Sequence, residues 1–337
     1  MVFRYRLRSF GPTDTADALL ADIFPQGGNG SGALIGAVGT PKIPWDAVVS
    51  HLRAIGAQCL LIQTGVVDPD FLEEHQAFYA KQHRPVPATC VRVHAFTKTI
   101  PNPIPEVVEF LDGDGDGDGD GDGVQDAYLG FVTIRPLRHA PVGATILRPA
   151  AALQPTATDR FPVHIAGNEF SVIGTPFLQQ DNAVGACAQA SIWMALRTLR
   201  RRAGNSAYSP AELTVAATRY VAPDRTFPGR QGLTSSQMLE AMRTAGHDPL
   251  FIGVRQSGAA AATANGVIAK ATPYTTSGLP VIVILLAPDG GHAVVAIGHS
   301  PSKARIQPLP RQQQHLSTAI PYAMSSDWVS GLVIHND

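Results

Sequence analysis

The stretch that decides the fold of the second half of this chain runs from Gln179 to Leu199 and reads QQDNAVGACAQASIWMALRTL. After Cys187 the apolar side chains recur at helical spacing, which predicts a buried helix over residues 187–201. Gly185 lets the backbone turn tightly into this helix. A thiol at a helix N-terminus meets the positive end of the peptide dipoles, which favours the nucleophilic thiolate. The alternative is a cysteine that only packs, and neighbouring residues must decide between the two.

A histidine motif downstream gives this cysteine a partner. Residues 290–298 read GGHAVVAIG, which places His292 at the head of an alternating apolar strand. The sheet would hold the imidazole rigidly there. Paired with a cysteine at a helix start, His292 is the natural general base that takes the thiol proton. A turn histidine without a chemical role is the alternative, as it is for His299 and His315.

The order of these residues resembles that of the papain-like cysteine peptidases, and within them the branch that processes bacteriocin leaders. That order is a glutamine, a cysteine at a helix start, a later Gly-His on a strand, and Asn or Asp on the next strand. The resemblance spans residues 163–337 and rests on the motifs QQDNAVGAC and GGHAVVAIG. It implies an α+β fold in which the helix that bears the nucleophile packs on an antiparallel sheet.

The resemblance also implies a glutamine that stabilises the tetrahedral intermediate. Its side-chain amide donates to the oxyanion together with the backbone N–H of the cysteine. Gln180 is the first candidate for this role and Gln179 is the reserve. Six residues separate Gln180 from Cys187, where the family usually has five.

A third residue should fix the tautomer of the imidazole by accepting its other N–H. Residues 331–337 read GLVIHND and have the pattern of a strand that follows the histidine. Asn336 is the first candidate and Asp337 the second, because one step along a strand reverses the side to which a residue points. Asp327 is a weaker candidate, since Ser-Ser-Asp-Trp is equally typical of a turn. The chain ends on this motif, which suggests a trimmed or partial gene product.

The N-terminal half alternates strand-like and helix-like patterns, which predicts a smaller α/β domain over residues 1–137. Asp68 followed by Pro69 predicts a helix start. Residues 138–162 are rich in Pro and Ala with little periodicity, and this predicts a linker. The papain-like domain would then occupy residues 163–337, with one helical layer before one sheet layer.

Six Asp-Gly repeats fill residues 112–123. Their composition has nothing apolar to bury and favours a disordered acidic loop. Calcium is the alternative, because four acidic residues and Gly123 match positions one, three, five, nine and six of an EF-hand loop. The four acidic residues are Asp118, Asp120, Asp122 and Asp126. Position twelve falls on Leu129, where a bidentate glutamate belongs.

Composition bounds the partners and the compartment. The formal charge is -1, and no long basic run appears, so we expect no nucleic-acid partner. No apolar run reaches the length that spans a bilayer and no signal sequence is evident, so we expect a soluble, cytoplasmic protein that does not bind membranes. The three cysteines, Cys59, Cys90 and Cys187, form no metal-binding or disulfide pattern. Cys59 and Cys90 lie in apolar stretches and are predicted to be buried strand residues.

The sequence therefore predicts a cysteine peptidase or isopeptidase that forms a thioester on Cys187 and needs no cofactor. Its substrate would be a peptide or protein. The N-terminal domain shows no motif that carries chemistry, so its role in selecting substrate, binding a protein partner or covering the site stays open. Two alternatives stay open at this point. One is an amide transferase or deamidase with the same chemistry, and the other is a papain-like binding module with weak or no turnover.

Overall fold

The structure is a computed structural model. It describes residues 4–23, 43–81, 83, 85–112, 123–137, 140–181, 187–220, 232–254, 260–287, 290–301, 310–311, 320–321 and 324–336. Within these ranges the protein combines helices with sheets whose paired strands are all antiparallel, an α+β arrangement.

The described strands of the N-terminal half form a five-stranded sheet in chain order. They are β1 (Arg4–Ser9), β2 (Cys59–Val66), β3 (Cys90–Phe96), β4 (Tyr128–Ile134) and β5 (Val142–Leu147). Each neighbouring pair is antiparallel. The alternating sequence pattern predicts an α/β domain, and the antiparallel pairing corrects that expectation. Alternation does not specify strand direction, because a helical connection can return the chain to either end of the next strand.

The described helices of this half precede or join the strands. They are α1 (Ala16–Ile23), α2 (Ile43–Ala54), α3 (Pro69–Glu74), its π-helical continuation His75–Tyr79, and α4 (Val107–Asp112). The predicted start of α3 is confirmed, because the Asp68 carboxylate accepts a hydrogen bond from Phe71 N at 3.1 Å and Pro69 takes the first helical turn. Helices α1 and α2 bury Leu19, Trp45 and Leu52 against the sheet.

The hairpin of β6 (Asp159–Ile165) and β7 (Asn168–Gly174) packs on this N-terminal sheet. Its inward side chains share an apolar cluster with residues of β2 and β3. Segment 138–162, predicted as a linker, therefore contains β5 and the start of β6. The proline content of this segment led to the linker prediction. Pro162 is nevertheless tolerated in β6, because it is exposed in a two-stranded ribbon.

The C-terminal half consists of helices followed by a small sheet. The helices are α5 (Cys187–Arg202), α6 (Pro210–Ala217), α7 (Ser235–Thr244) and α8 (Ala260–Thr276). Capping boxes at Ser209 and Thr234 explain where α6 and α7 begin. Helix α8 has no counterpart in the sequence prediction.

The described strands of this half form the sheet β12-β9-β8, with β9 in the centre. They are β8 (Val281–Ala287), β9 (Gly290–Pro301) and β12 (Val329–His335). The short strands β10 (Pro310–Arg311) and β11 (Ile320–Pro321) pair with each other, and a 3-10 turn covers Ser325–Trp328. Helix α5 packs on one face of the sheet, where Ile192 and Trp193 share a core with Ala293 and Val295.

A close backbone approach fixes the far end of β9. The Ile297 carbonyl accepts hydrogen bonds from both Thr156 N and Ala157 N at 2.9 Å. A Cβ at the next residue, Gly298, would lie 2.5 Å from the carbonyl oxygen of Gln154. A glycine is therefore required at this point for the segment 154–157 to lie against the central strand.

The two halves contact each other through helix α5. The buried Asp70 carboxylate of α3 accepts hydrogen bonds from the Trp193 indole at 3.1 Å and from the Arg197 guanidinium at 3.2 Å. The Ser209 hydroxyl also donates to the Glu73 carboxylate. The N-terminal half therefore braces the helix that Cys187 begins.

Candidate active site

Cys187 is the first residue of α5 and is partly exposed, whereas the residues that follow it up to Leu196 are buried. Ala188 and Ile192 are buried, and so is Trp193. The side chains beyond the first residue therefore anchor the helix in the core, while the thiol stays at the surface of the helix N-terminus. Gly185, the predicted turn residue, lies outside the described residues.

Ser191 connects this helix to the strand that carries His292. Its hydroxyl donates to the Ala293 carbonyl at 2.9 Å, and both residues are buried. Ser191 lies one turn after Cys187, about 6 Å along the helix axis, and Ala293 directly follows His292. The bond therefore holds the first turn of α5 beside the head of β9. Sequence reasoning missed Ser191, although its position one turn after a helix-start cysteine was visible.

His292 lies at the beginning of β9 and is partly buried. Its Nε2 atom lies 2.8 Å from Oδ1 of Asn336, the residue directly after β12. Strand β12 pairs with β9 beside this point, with His335 opposite Val295. Of the two residues predicted to orient His292, the structure places Asn336 in contact with it, while Asp337 lies outside the described residues.

Asp327 occupies a different environment. Its carboxylate accepts a hydrogen bond from Met324 N at 2.8 Å and caps the 3-10 turn before β12. The turn interpretation of Ser-Ser-Asp-Trp is thus confirmed, because the carboxylate is engaged by its own turn.

The two glutamines predicted near the cysteine differ in their surroundings. Gln179 is buried, and its side-chain carbonyl accepts from Val142 N at 3.0 Å, which ties it to β5. Its backbone carbonyl also accepts from the Arg135 guanidinium at 2.7 Å. Gln180 is partly exposed on the approach to Cys187. The structure thus ties the reserve candidate to β5, and the oxyanion role of Gln180 stays a prediction.

An apolar side chain lies beside the histidine on the neighbouring strand. Leu285 of β8 is directly opposite His292 in the register, and the leucine is 49 % exposed. Side chains directly opposite each other on antiparallel strands have Cβ atoms about 5 Å apart. The face next to the imidazole therefore presents apolar surface. The strand pattern alone could not show this, because it does not reveal which leucines are covered.

The two other cysteines are buried strand residues, as the sequence predicts. Cys59 lies in β2 and Cys90 in β3. Burial raises the pKa of Cys59 to about 12 and raises the pKa of Cys90 as well. Both groups therefore remain protonated thiols near neutral pH.

The predicted calcium residues Asp118, Asp120 and Asp122 lie outside the described residues, whereas Asp126 belongs to the turn before β4. Within the described part of the chain, no group of three His, Cys, Asp or Glu residues is arranged to hold a metal ion. No described helix has the length and apolar character needed to cross a membrane.

Comparisons with protein-family models, curated proteins and solved structures found no match for this chain. The case for a function therefore rests on the arrangement of its own residues.

Proposed function

We propose that this protein is a papain-like cysteine peptidase or isopeptidase in which Cys187 is the nucleophile and His292 the general base. The observation that carries the proposal is the 2.8 Å contact between His292 Nε2 and Asn336 Oδ1, on a strand that Ser191 joins to the helix begun by Cys187. A cysteine, a histidine and an orienting amide in these roles form the triad that activates a thiol for acyl transfer.

The proposed reaction follows from which imidazole nitrogen is held. Asn336 accepts the N–H of Nε2, so Nδ1 is the nitrogen that exchanges a proton with the thiol. The Cys187 thiolate attacks the carbonyl carbon of the amide, and the negative charge moves to the carbonyl oxygen. The backbone N–H of Cys187 and the side-chain amide of Gln180 donate to this oxyanion.

Collapse of the tetrahedral intermediate breaks the C–N bond, and the imidazolium gives its proton to the leaving amine. A thioester on Cys187 remains. Water then attacks the thioester, with His292 again accepting a proton, and releases the carboxylic acid and the thiol. No metal or organic cofactor is needed for these steps.

Thiol reactivity tests the nucleophile without knowledge of the substrate. The full-length protein is alkylated with iodoacetamide at pH 6, where an ordinary thiol is almost entirely protonated, and each cysteine is quantified by peptide mass spectrometry. We expect Cys187 to react at least about tenfold faster than a small model thiol, because only an activated thiol has a substantial thiolate fraction at this pH. Cys59 and Cys90 should react far more slowly in the folded protein.

The variant His292→Ala should bring the rate at Cys187 down to that of the model thiol. His299→Ala is the matched control, because His299 lies on the same strand and contacts Thr275 of α8 instead. Reaction of Cys187 no faster than the model thiol in the unmodified protein would refute the peptidase proposal and favour the binding-module alternative.

An activated ester distinguishes hydrolysis from transfer. p-Nitrophenyl acetate should acylate Cys187 in a stoichiometric burst, followed by slow release of acetate to water. With added glycine amide, an amide transferase should release mainly the acetylated amine, whereas a hydrolase should still release mainly acetate. Dominant aminolysis at millimolar amine would exclude the hydrolase and support the transferase.

A further inference from the structure

A cavity of about 270 Å³ lies between the two halves of the protein. Helix α2 supplies one wall through Pro44, Ala47 and His51, and the end of β12 supplies another through Ile334 and His335. The cavity extends to Asn336, which holds His292. It is thus built from both halves of the chain and shares one residue with the proposed triad.

The described residues that line this cavity include no Asp, Glu, Lys or Arg. The two lining threonines already use their hydroxyl groups: Thr145 donates to Gly143 O at 3.0 Å and Thr175 donates to Ala157 O at 3.1 Å. His51 Nε2 lies 2.9 Å from Arg148 O. A charged ligand would lose its hydration here and find no opposite charge, so the lining favours an uncharged, mainly apolar ligand.

His335 adds no charge to the lining. Its ring packs edge-on against Phe177, with 5.4 Å between the ring centroids. Withdrawal of the ring from water lowers the pKa of His335 to about 4, despite the opposing hydrogen bond with the Pro176 backbone, so the imidazole is neutral at pH 7. A charged ligand would therefore find no opposite charge on this wall of the cavity either.

We propose that this cavity binds a small, uncharged, mainly apolar molecule, such as a fused-ring aromatic compound. Size supports this class, since a cavity of roughly 150 Å³ already accommodates a benzene molecule. The larger space here fits a bicyclic ring. The inference goes beyond the proposed peptidase activity and does not require it.

Direct binding to the full-length protein tests the proposal, with 2-naphthol as the probe. Isothermal titration calorimetry should show one molecule bound per chain with a Kd below about 1 mM. The charged analogue 2-naphthoate should bind at least about tenfold more weakly, because nothing in the lining compensates its charge.

Two variants locate the binding. Ala47→Phe places a ring in the cavity from an exposed position of α2 and should weaken 2-naphthol binding at least about tenfold. Ser50→Phe is the matched control, because Ser50 is exposed on the same helix outside the cavity lining, and it should change the affinity less than about twofold. If Ala47→Phe unfolds the protein, Ile334→Trp blocks the opposite wall instead.

Unchanged affinity in both cavity-filling variants, or no binding of 2-naphthol at all, would overturn the proposal. Equal affinity for 2-naphthoate would overturn the conclusion that the ligand is uncharged. None of these results depends on Cys187 reactivity, so they are separate from a failure of the peptidase proposal.

Discussion

The N-terminal sheet and the C-terminal half contain the same reactive residue types in opposite surroundings. His94 of β3 is fully buried, with Nδ1 bonded to the Tyr128 hydroxyl at 3.0 Å and Nε2 3.3 Å from Gln63 Oε1. Burial lowers the pKa of His94 to about 3. His292 instead lies partly exposed at the head of its strand, with Asn336 on Nε2.

The cysteines repeat this contrast. Cys59 is enclosed in a strand, whereas Cys187 begins a helix and is partly exposed. An imidazole with both nitrogens engaged and a thiol without access to water cannot exchange protons with a substrate. In this protein, position at the end of an element, rather than residue type, makes a residue available for chemistry.

The largest expected effect is the loss of activity when His292 is replaced. His292→Ala should lower kcat/KM on a peptide substrate by on the order of 10³-fold or more, because it removes the proposed general base. The melting temperature should change little, since the ring is only partly buried. Steady-state kinetics and thermal unfolding measure the two quantities. Retention of more than a tenth of the activity would contradict the assignment of His292.

The reverse result is expected at His94. His94→Ala should lower the free energy of unfolding by about 2 to 4 kcal/mol, because it creates a cavity and leaves the Tyr128 hydroxyl and Gln63 without this partner. Urea denaturation measures the loss. The folded fraction should keep its kcat/KM. A selective loss of turnover in a stable His94→Ala protein would contradict a purely structural role for His94.

Asp70 is a buried titratable residue at the contact between the two halves. Burial raises the pKa of its carboxyl to about 6, despite the opposing effect of Arg197. Below about pH 3 the group is protonated in both the folded and unfolded states. As the pH rises toward 6, the carboxyl ionises first in the unfolded state, which favours unfolding. The free energy of unfolding therefore falls by about 2 to 3 kcal/mol.

Asp70→Asn should remove this pH dependence while it keeps an oxygen that accepts from Trp193. Free energies of unfolding at pH 4 and pH 7 for both proteins measure the effect. The wild-type protein should lose more stability than Asp70→Asn over this interval. An identical pH dependence in the two proteins would show that Asp70 is not buried as the structure has it.

The smallest expected effect concerns the orienting residue. Asn336→Ala should lower kcat/KM by roughly 10- to 100-fold, which corresponds to the loss of one hydrogen bond to a charged group, about 1.5 to 3 kcal/mol. Asn336→Asp retains an acceptor and should lose less. Asp337→Ala is the control for the competing assignment. A larger loss in Asp337→Ala than in Asn336→Ala would transfer the orienting role to Asp337.

The sequence by itself determined the local features of this protein. The start of α5 at Cys187, the strand headed by His292, the helix cap at Asp68 and the burial of Cys59 all follow from patterns within a few residues. Such features depend on helical and strand periodicity and on capping, which are short-range interactions that a single stretch of chain contains.

Only the tertiary structure decided how these elements meet. The direction of the N-terminal strands, the strand β5 within a Pro-rich segment, the Ser191 contact to Ala293 and the burial of Asp70 against α5 all join residues that are distant in sequence. The approach of Asn336 to His292 also depends on a register shift in β12 between Val333 and Ile334. Strand pairing and bulges are set by contacts across the fold, and a one-residue step in register changes which side chain faces the site.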